Sequence, residues 1–192
     1  MVRVSRVLSH IYPDTFSSVP FDLLNDAAAR GSHYHEIAKQ IMLSRQFPAA
    51  HPFNPDDYQD DYHIVGSLME WAEQYQVEPR MVEQTAAHRS LRYCGTPDLL
   101  CRFSCKQWKF LHKKKILIDF KFTAAVQEMN HMQLVAYWHL PIFDQADKAY
   151  ICHIDPRTGE REMMQIFRHG NGYWQRFCRG YHELMNLQSA AS

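Results

Sequence analysis

The stretch Ile116–Thr123, ILIDFKFT, constrains the fold more than any other part of the chain. Its apolar run followed by Asp-Phe-Lys reads as a strand, and side chains two apart on a strand share a face. Asp119 and Lys121 therefore stand side by side, while Ile118 and Phe120 point the other way. A strand this apolar belongs in a core, where an acid needs a counter-charge. The pair is either a structural ion pair or half of an active site.

With 192 residues, 46% of them hydrophobic, the chain is long enough to bury a core and is expected to form a single domain, 1–192. The opening MVRVSRVLSHIYP lacks the apolar run of a secretory leader, and no segment approaches the length of a membrane span. A cytoplasmic protein with no membrane partner is expected. Five scattered cysteines, Cys94, Cys101, Cys105, Cys152 and Cys178, form no CxxC pair, which argues against disulfides and zinc knuckles and for reduced, mostly packed thiols. Lysine plus arginine equals aspartate plus glutamate at 21 each, so overall charge gives no sign of a nucleic-acid partner. Distribution gives one. From Arg102 to Lys121 seven lysines and arginines face one acid, Asp119, whereas PDDYQDD at 55–61 is acidic. A local basic stripe attracts phosphate even at zero net charge.

No repeat or low-complexity tract interrupts the chain. Apolar spacing predicts a helix over Leu23–Arg45 with Asp22 as N-cap, a turn-rich acidic stretch, and a second helix over Ile64–Tyr75. Short strands follow from Arg80, broken near Gly95, and KKILIDFK forms the next strand after a basic turn. Helical spacing returns over Ala125–Leu140, AYICHID and REMMQIF are strands, and Gly172–Leu187 closes the chain as a helix. The order is α/β, with a mixed or antiparallel sheet.

Gly95-Thr-Pro-Asp98 opens the strand before ILIDFK, and the segment from Asp98 to Asp119 suits two antiparallel strands and a turn, which brings both aspartates together. Paired carboxylates repel unless a cation sits between them, and hard oxygen ligands suit magnesium or manganese. Lys121 beside them adds a positive charge for holding water or for charge developing on a phosphate.

In these residues the chain resembles the PD-(D/E)XK nucleases, in the branch of RecB-like and phage-type exonuclease domains. Thr96-Pro97-Asp98 matches the PD element and Asp119-Phe120-Lys121 the (D/E)XK element. Arg30-Gly31 with His35 resembles the branch's helical RG-x-x-x-H signature, and Gln133 with Tyr137 its QxxxY motif. Glu83 sits where some phage-type exonucleases carry an extra acid. Gly31 is read as room for close packing of its helix. The resemblance runs from about Val4 to Tyr137 and implies a restriction-endonuclease-like core, a mixed central sheet flanked by helices.

It further implies that Asp98 and Asp119 bind Mg2+ or Mn2+ with the carbonyl of Phe120 and with His35, that Lys121 orients water, and that Glu83 assists. Arg30, Gln133 and Tyr137 would position the substrate strand. The implied activity is an exonuclease that hydrolyses DNA phosphodiesters in phage or bacterial recombination and DNA processing. Endonuclease action, RNA as substrate, or an inactive nuclease-fold DNA-binding protein are the alternatives. No Walker A loop is present, so unwinding would come from a helicase or recombination partner. The cysteines lack the one-upstream, three-downstream arrangement that holds an iron-sulfur cluster in some relatives, so no cluster is expected. Oligomeric state is open.

Each site residue also has a plainer reading. Gln133 and Tyr137 could be ordinary positions on an amphipathic helix, Glu83 a solvated strand residue, and His35 a satisfied core histidine. The segment CKQWKFLHKKK could be a soluble turn. Alternatively, Trp108 stacks a base there while Lys113, Lys114 and Lys115 hold phosphates.

Overall fold

The computed structural model describes residues 1–190. Strand β1 (Val2–Arg3) and helix α1 (Val4–Ile11) lead into the long helix α2 (Phe21–Gln46), a 3-10 helix (Pro55–Asp61) and α3 (Tyr62–Gln74). Strands β2 (Val77–Val82), β3 (Ala86–His88), β4 (Tyr93–Gly95), β5 (Leu99–Phe103) and β6 (Lys115–Lys121) follow. The chain continues through α4 (Glu128–Trp138), β7 (Lys148–Ile154), β8 (Arg161–Ile166) and α5 (Tyr173–Ala190). The fold class is mixed α/β, as the order of sequence patterns predicts.

The main sheet has five strands in the order β2-β5-β6-β7-β8. Its pairs are antiparallel except β6 with β7, which run parallel and are joined by a crossover carrying α4. A small sheet, β1-β4-β3, is built from a parallel and an antiparallel pair. Alternation along the central strands divides the core in two. Ile116, Ile118 and Phe120 pack with Ile37, Ile41, Leu68 and Trp71 of α2 and α3. Leu117 joins Leu100, Val7, Leu134, Val135 and Phe177, so α1, α4 and α5 cover the opposite face. The face that carries Leu117 also carries Asp119 and Lys121.

Helix α1 and strand β1 were not anticipated from the sequence. The signal was there: Val4, Val7 and Leu8 recur at helical spacing and are buried. Helix α2 starts at Phe21 with Pro20 at its N-cap and no side-chain cap, so Asp22 is not the cap. It lies in the first turn, where its charge still favours the helix dipole. Two of the five cysteines, Cys101 and Cys152, are buried and the other three are partly exposed. Among the described residues no helix is long and apolar enough to cross a membrane.

The glycine reading is reversed. A Cβ on Gly31 would meet nothing within 4 Å, so this residue does not serve close packing. Gly95 does: a Cβ there would stand 2.6 Å from Cδ1 of Tyr137, whose ring is buried and held. Gly95→Ala should lower stability by about 1–3 kcal/mol through overpacking. Gly31→Ala should raise it by up to about 1 kcal/mol, as the helical interior loses a glycine. Urea denaturation of both variants measures the two signs; equal effects would remove the special role given to Gly95.

Candidate active site

The site begins with the β5–β6 hairpin. Leu99 pairs with Ile118, which places Asp98, one residue before β5, opposite Asp119. The Phe120 backbone N–H donates to Asp98 Oδ2 at 2.6 Å, locking the PD element onto the next strand. Asp119 is 2% exposed and Lys121 Nζ lies 2.6 Å from its Oδ2. That contact is charge against charge, because Asp119 Oδ2 is buried without a well-oriented hydrogen bond. Burial pushes the Asp119 carboxyl above its ordinary range, and the negative charge of Asp98 adds to the push against the pull of Lys121. Burial also pushes Asp98 up, but the His35 charge and hydrogen bond, with Lys121 and the Phe120 N–H, outweigh it and hold Asp98 low.

Helix α2 brings His35 to within 3.3 Å of Asp98, Nδ1 to Oδ1, with its ring edge-on to Phe122 at 5.2 Å between centroids. Burial pulls the imidazole pKa down, yet the charge and hydrogen bond of Asp98 leave it raised. His33 points elsewhere, to Asp61 at 2.7 Å. One turn on from His35, Lys39 reaches Glu83 at 3.5 Å and Glu36 at 2.8 Å. Glu83 stands just past the end of β2, in the left-handed region at φ 45°, and its N–H donates to the carbonyl of Asp98 at 2.8 Å. Burial raises its carboxyl pKa against the pull of Lys39, and the Asp98 charge adds to the rise. Glu83 thus borders the site, and Lys39 is the residue the sequence reading missed. Its spacing of four from His35 was the available signal.

Helix α4 closes the other side. Gln133 Nε2 donates to the Tyr137 hydroxyl at 2.9 Å, so the QxxxY residues form one unit. Burial raises the Tyr137 pKa, and the Asp119 charge raises it further. The fully buried Tyr93 donates its hydroxyl to the Ala136 carbonyl at 2.9 Å, and this ties α4 to β4 and sets Tyr137 over Gly95. Arg30 is exposed one turn before Tyr34 and lines a groove of about 560 Å³ with Tyr34, Phe122 and Thr123.

The basic hairpin is not part of this assembly. Lys115 pairs with Arg102 at the far end of β5 and β6, roughly 13 Å from Asp119 along the strand. Lys113 and Lys114 lie beyond it in the turn, where Lys114 Nζ approaches Asp147 at 3.8 Å, and Lys115 Nζ donates to Gln145. Trp108 is half-buried against Tyr75, with centroids 5.6 Å apart, and so does not offer an open ring for a base. The spacing from Asp98 to Asp119 already required the intervening turn to sit at the opposite end.

Among the described residues no three histidine, cysteine or acidic side chains already converge as a ligand shell. The two carboxylates are turned instead to His35, the Phe120 N–H and Lys121. Those partners are the groups with which a cation would compete. The donor types nevertheless suit a hard divalent ion: two carboxylates on neighbouring strand positions, the Phe120 backbone carbonyl and one imidazole, with the buried Asp119 Oδ2 lacking a hydrogen bond.

No family model matches the chain, and no curated protein matches it. The chain is similar to the solved structure described as "Crystal structure of SSO0001", with 16% identity and a TM-score of 0.48 over 97% of this chain and 75% of that one. The functional reading rests on the geometry of the site.

The buried pair makes a pH-dependent prediction. Lys121→Met strands the Asp119 carboxylate, which should cost about 3–5 kcal/mol at pH 8. Asp119 already has a raised pKa, and removing Lys121 raises it further. As pH falls through that value the acid takes up a proton, its need for a counter-charge ends, and the loss relative to the parent should shrink. Urea denaturation at pH 8 and pH 5 measures it; a loss of equal size at both would mean that Asp119 and Lys121 are not coupled.

Proposed function

We propose that this chain is a metal-dependent DNA nuclease of the PD-(D/E)XK class, acting as an exonuclease in phage or bacterial DNA processing. The observation that carries the reading is the pairing of two largely buried carboxylates, Asp98 and Asp119, across one hairpin, with Lys121 on the same face as Asp119. Asp119 already has its counter-charge in Lys121, so a second acid beside it adds a charge whose burial costs free energy that a metal ion would offset. The RG-x-x-x-H and QxxxY residues border this point from α2 and α4.

Mg2+ or Mn2+ held by Asp98, Asp119, the Phe120 carbonyl and His35 would supply charge neutralisation on the scissile phosphate. The other roles belong to the chain itself. Lys121 holds the attacking water near the phosphorus and stabilises the charge that develops on the phosphate. Asp98 fixes His35 and is fixed in turn by the Phe120 N–H. Tyr137 and Gln133 brace the substrate strand from one side of the cleft, with Arg30 at its other side, and Glu83 with Lys39 stiffens the edge next to Asp98.

End-labelled linear DNA incubated with magnesium or manganese should lose terminal nucleotides, while closed circles should survive. Cutting of the circles would replace exonuclease by endonuclease, and no cutting of any DNA or RNA would leave a nuclease-shaped binding protein. Asp119→Asn should lower the cleavage rate by a factor on the order of 10² to 10³. An imidazole ligand favours manganese more than carboxylates alone do. His35→Ala should therefore reduce the manganese-to-magnesium rate ratio, whereas His33→Ala, whose ring faces Asp61, should not.

A further inference from the structure

The lysine hairpin stands roughly 13 Å from Asp119 along the sheet, so the phosphates nearest the site need other partners. Two adjoining grooves on the face that carries α1 supply an answer. The inner groove, of about 290 Å³, is lined by Tyr137 and Thr96 together with Arg3 and Ser5. The outer one, of about 700 Å³, is lined by Arg3 and Ser5 again and by Arg6 and Arg92. Because they share Arg3 and Ser5, they form one path from the QxxxY tyrosine and the PD element to the outer surface. Among the described residues no acidic side chain lines either groove.

The arginines come together through the fold rather than through the sequence. Val2 pairs with Tyr93 and Arg3 with Cys94, so β1 lies along β4 and Arg3 and Arg92 line the same outer groove. The N–H of Val2 donates to the Arg92 carbonyl at 3.0 Å, which fixes that pairing. On α1, Val4, Val7 and Leu8 face the core, so Arg6 projects from the exposed side. Among the described residues none of the three guanidinium groups has an ion pair or a side-chain hydrogen bond. Six of the other ten arginines do: Arg45, Arg80, Arg157, Arg161, Arg168 and Arg176 hold acids. Three unneutralised guanidinium groups with serine and threonine hydroxyls, in a groove free of acids, match the repeating charge of a phosphodiester backbone.

We infer that Arg3, Arg6 and Arg92 form the phosphate-binding track along which the nucleic-acid strand runs to or from the site. This rests on the nuclease reading above for what happens at Asp98 and Asp119, though binding along the track does not require cleavage. Each phosphate held releases counterions, with a contribution to the salt slope of about 0.7 per contact on a single strand. The three arginines together account for a slope of about 2.

The test compares the parent with Arg3→Gln/Arg6→Gln/Arg92→Gln. Binding of a fluorescent single-stranded oligonucleotide is measured by anisotropy from 50 to 300 mM salt in chelator, and metal-dependent hydrolysis of the small diester bis(p-nitrophenyl) phosphate is measured separately. The triple variant should bind at least tenfold more weakly at low salt, with its slope lowered by about 2, and should hydrolyse the small diester at the parent's rate. Arg6→Gln alone, at an exposed position without partners, should lower the slope by about 0.7 and guards against misfolding of the triple variant. An unchanged slope in both variants overturns the track, as does an equal loss on replacing Lys113, Lys114 and Lys115 instead. A parent that binds through the arginines but cleaves neither DNA nor the small diester overturns the nuclease reading and leaves the track standing. A parent that cleaves while the triple variant binds unchanged does the reverse.

Discussion

Leu99 opposite Ile118 in the β5–β6 ladder is the pairing from which the acidic end of the sheet is built. It sets Asp98 across from Asp119 and places the Phe120 N–H where the Asp98 carboxylate can accept from it. A slip of one residue would send Asp119 and Lys121 into the apolar layer of Ile37, Leu68 and Trp71 and bring Ile118 to their place. The apolar alternation on both strands is what prohibits that slip, so the packing of two cores and the geometry of the acids have one cause.

The charges at this end are balanced across layers. Asp119 has its counter-charge on its own strand, Asp98 takes His35 from α2, and Glu83 takes Lys39 from the same helix. The helix on the opposite face contributes neutral groups, Gln133 and Tyr137. One side of the cleft is thus electrostatic and the other supplies shape and hydrogen bonds. That asymmetry is sustained by Tyr93 and Gly95, which let α4 approach closely without bringing charge.

Much of this was legible in the sequence because it is written in local spacing. The i, i+2 relation of Asp119 and Lys121, the i, i+4 relation of Gln133 and Tyr137, and the strand-turn-strand length between the aspartates each follow from backbone periodicity. What escaped depends on contacts between distant segments. In the sequence Tyr93 is one more strand aromatic and Lys39 one more helix charge; only the fold brings the Tyr93 hydroxyl to α4 and Glu83 within reach of Lys39. Helix α1 is faint in the sequence because its apolar stripe is only Val4, Val7 and Leu8, with polar and basic residues between. The place of the lysine cluster was hidden for a related reason: composition shows where charge is dense, but only topology shows which end of a strand it occupies. Gly31 and Gly95 are alike as letters, and they part only when the neighbours of an added carbon are known.

The placement of Lys121 two residues from Asp119 also bears on how the chain reaches this state. The β5–β6 hairpin closes a short loop, whereas His35 meets Asp98, and β1 meets β4, across much longer ones. Contacts of low sequence separation form at smaller entropic cost and tend to come first. Two carboxylates then come close before the histidine is present, and their repulsion, about 1 kcal/mol at 4 Å in water, weakens the hairpin. Lys121 travels on the same strand as the acid it neutralises, so its protection is in place from the moment the hairpin forms, with no further loop to close.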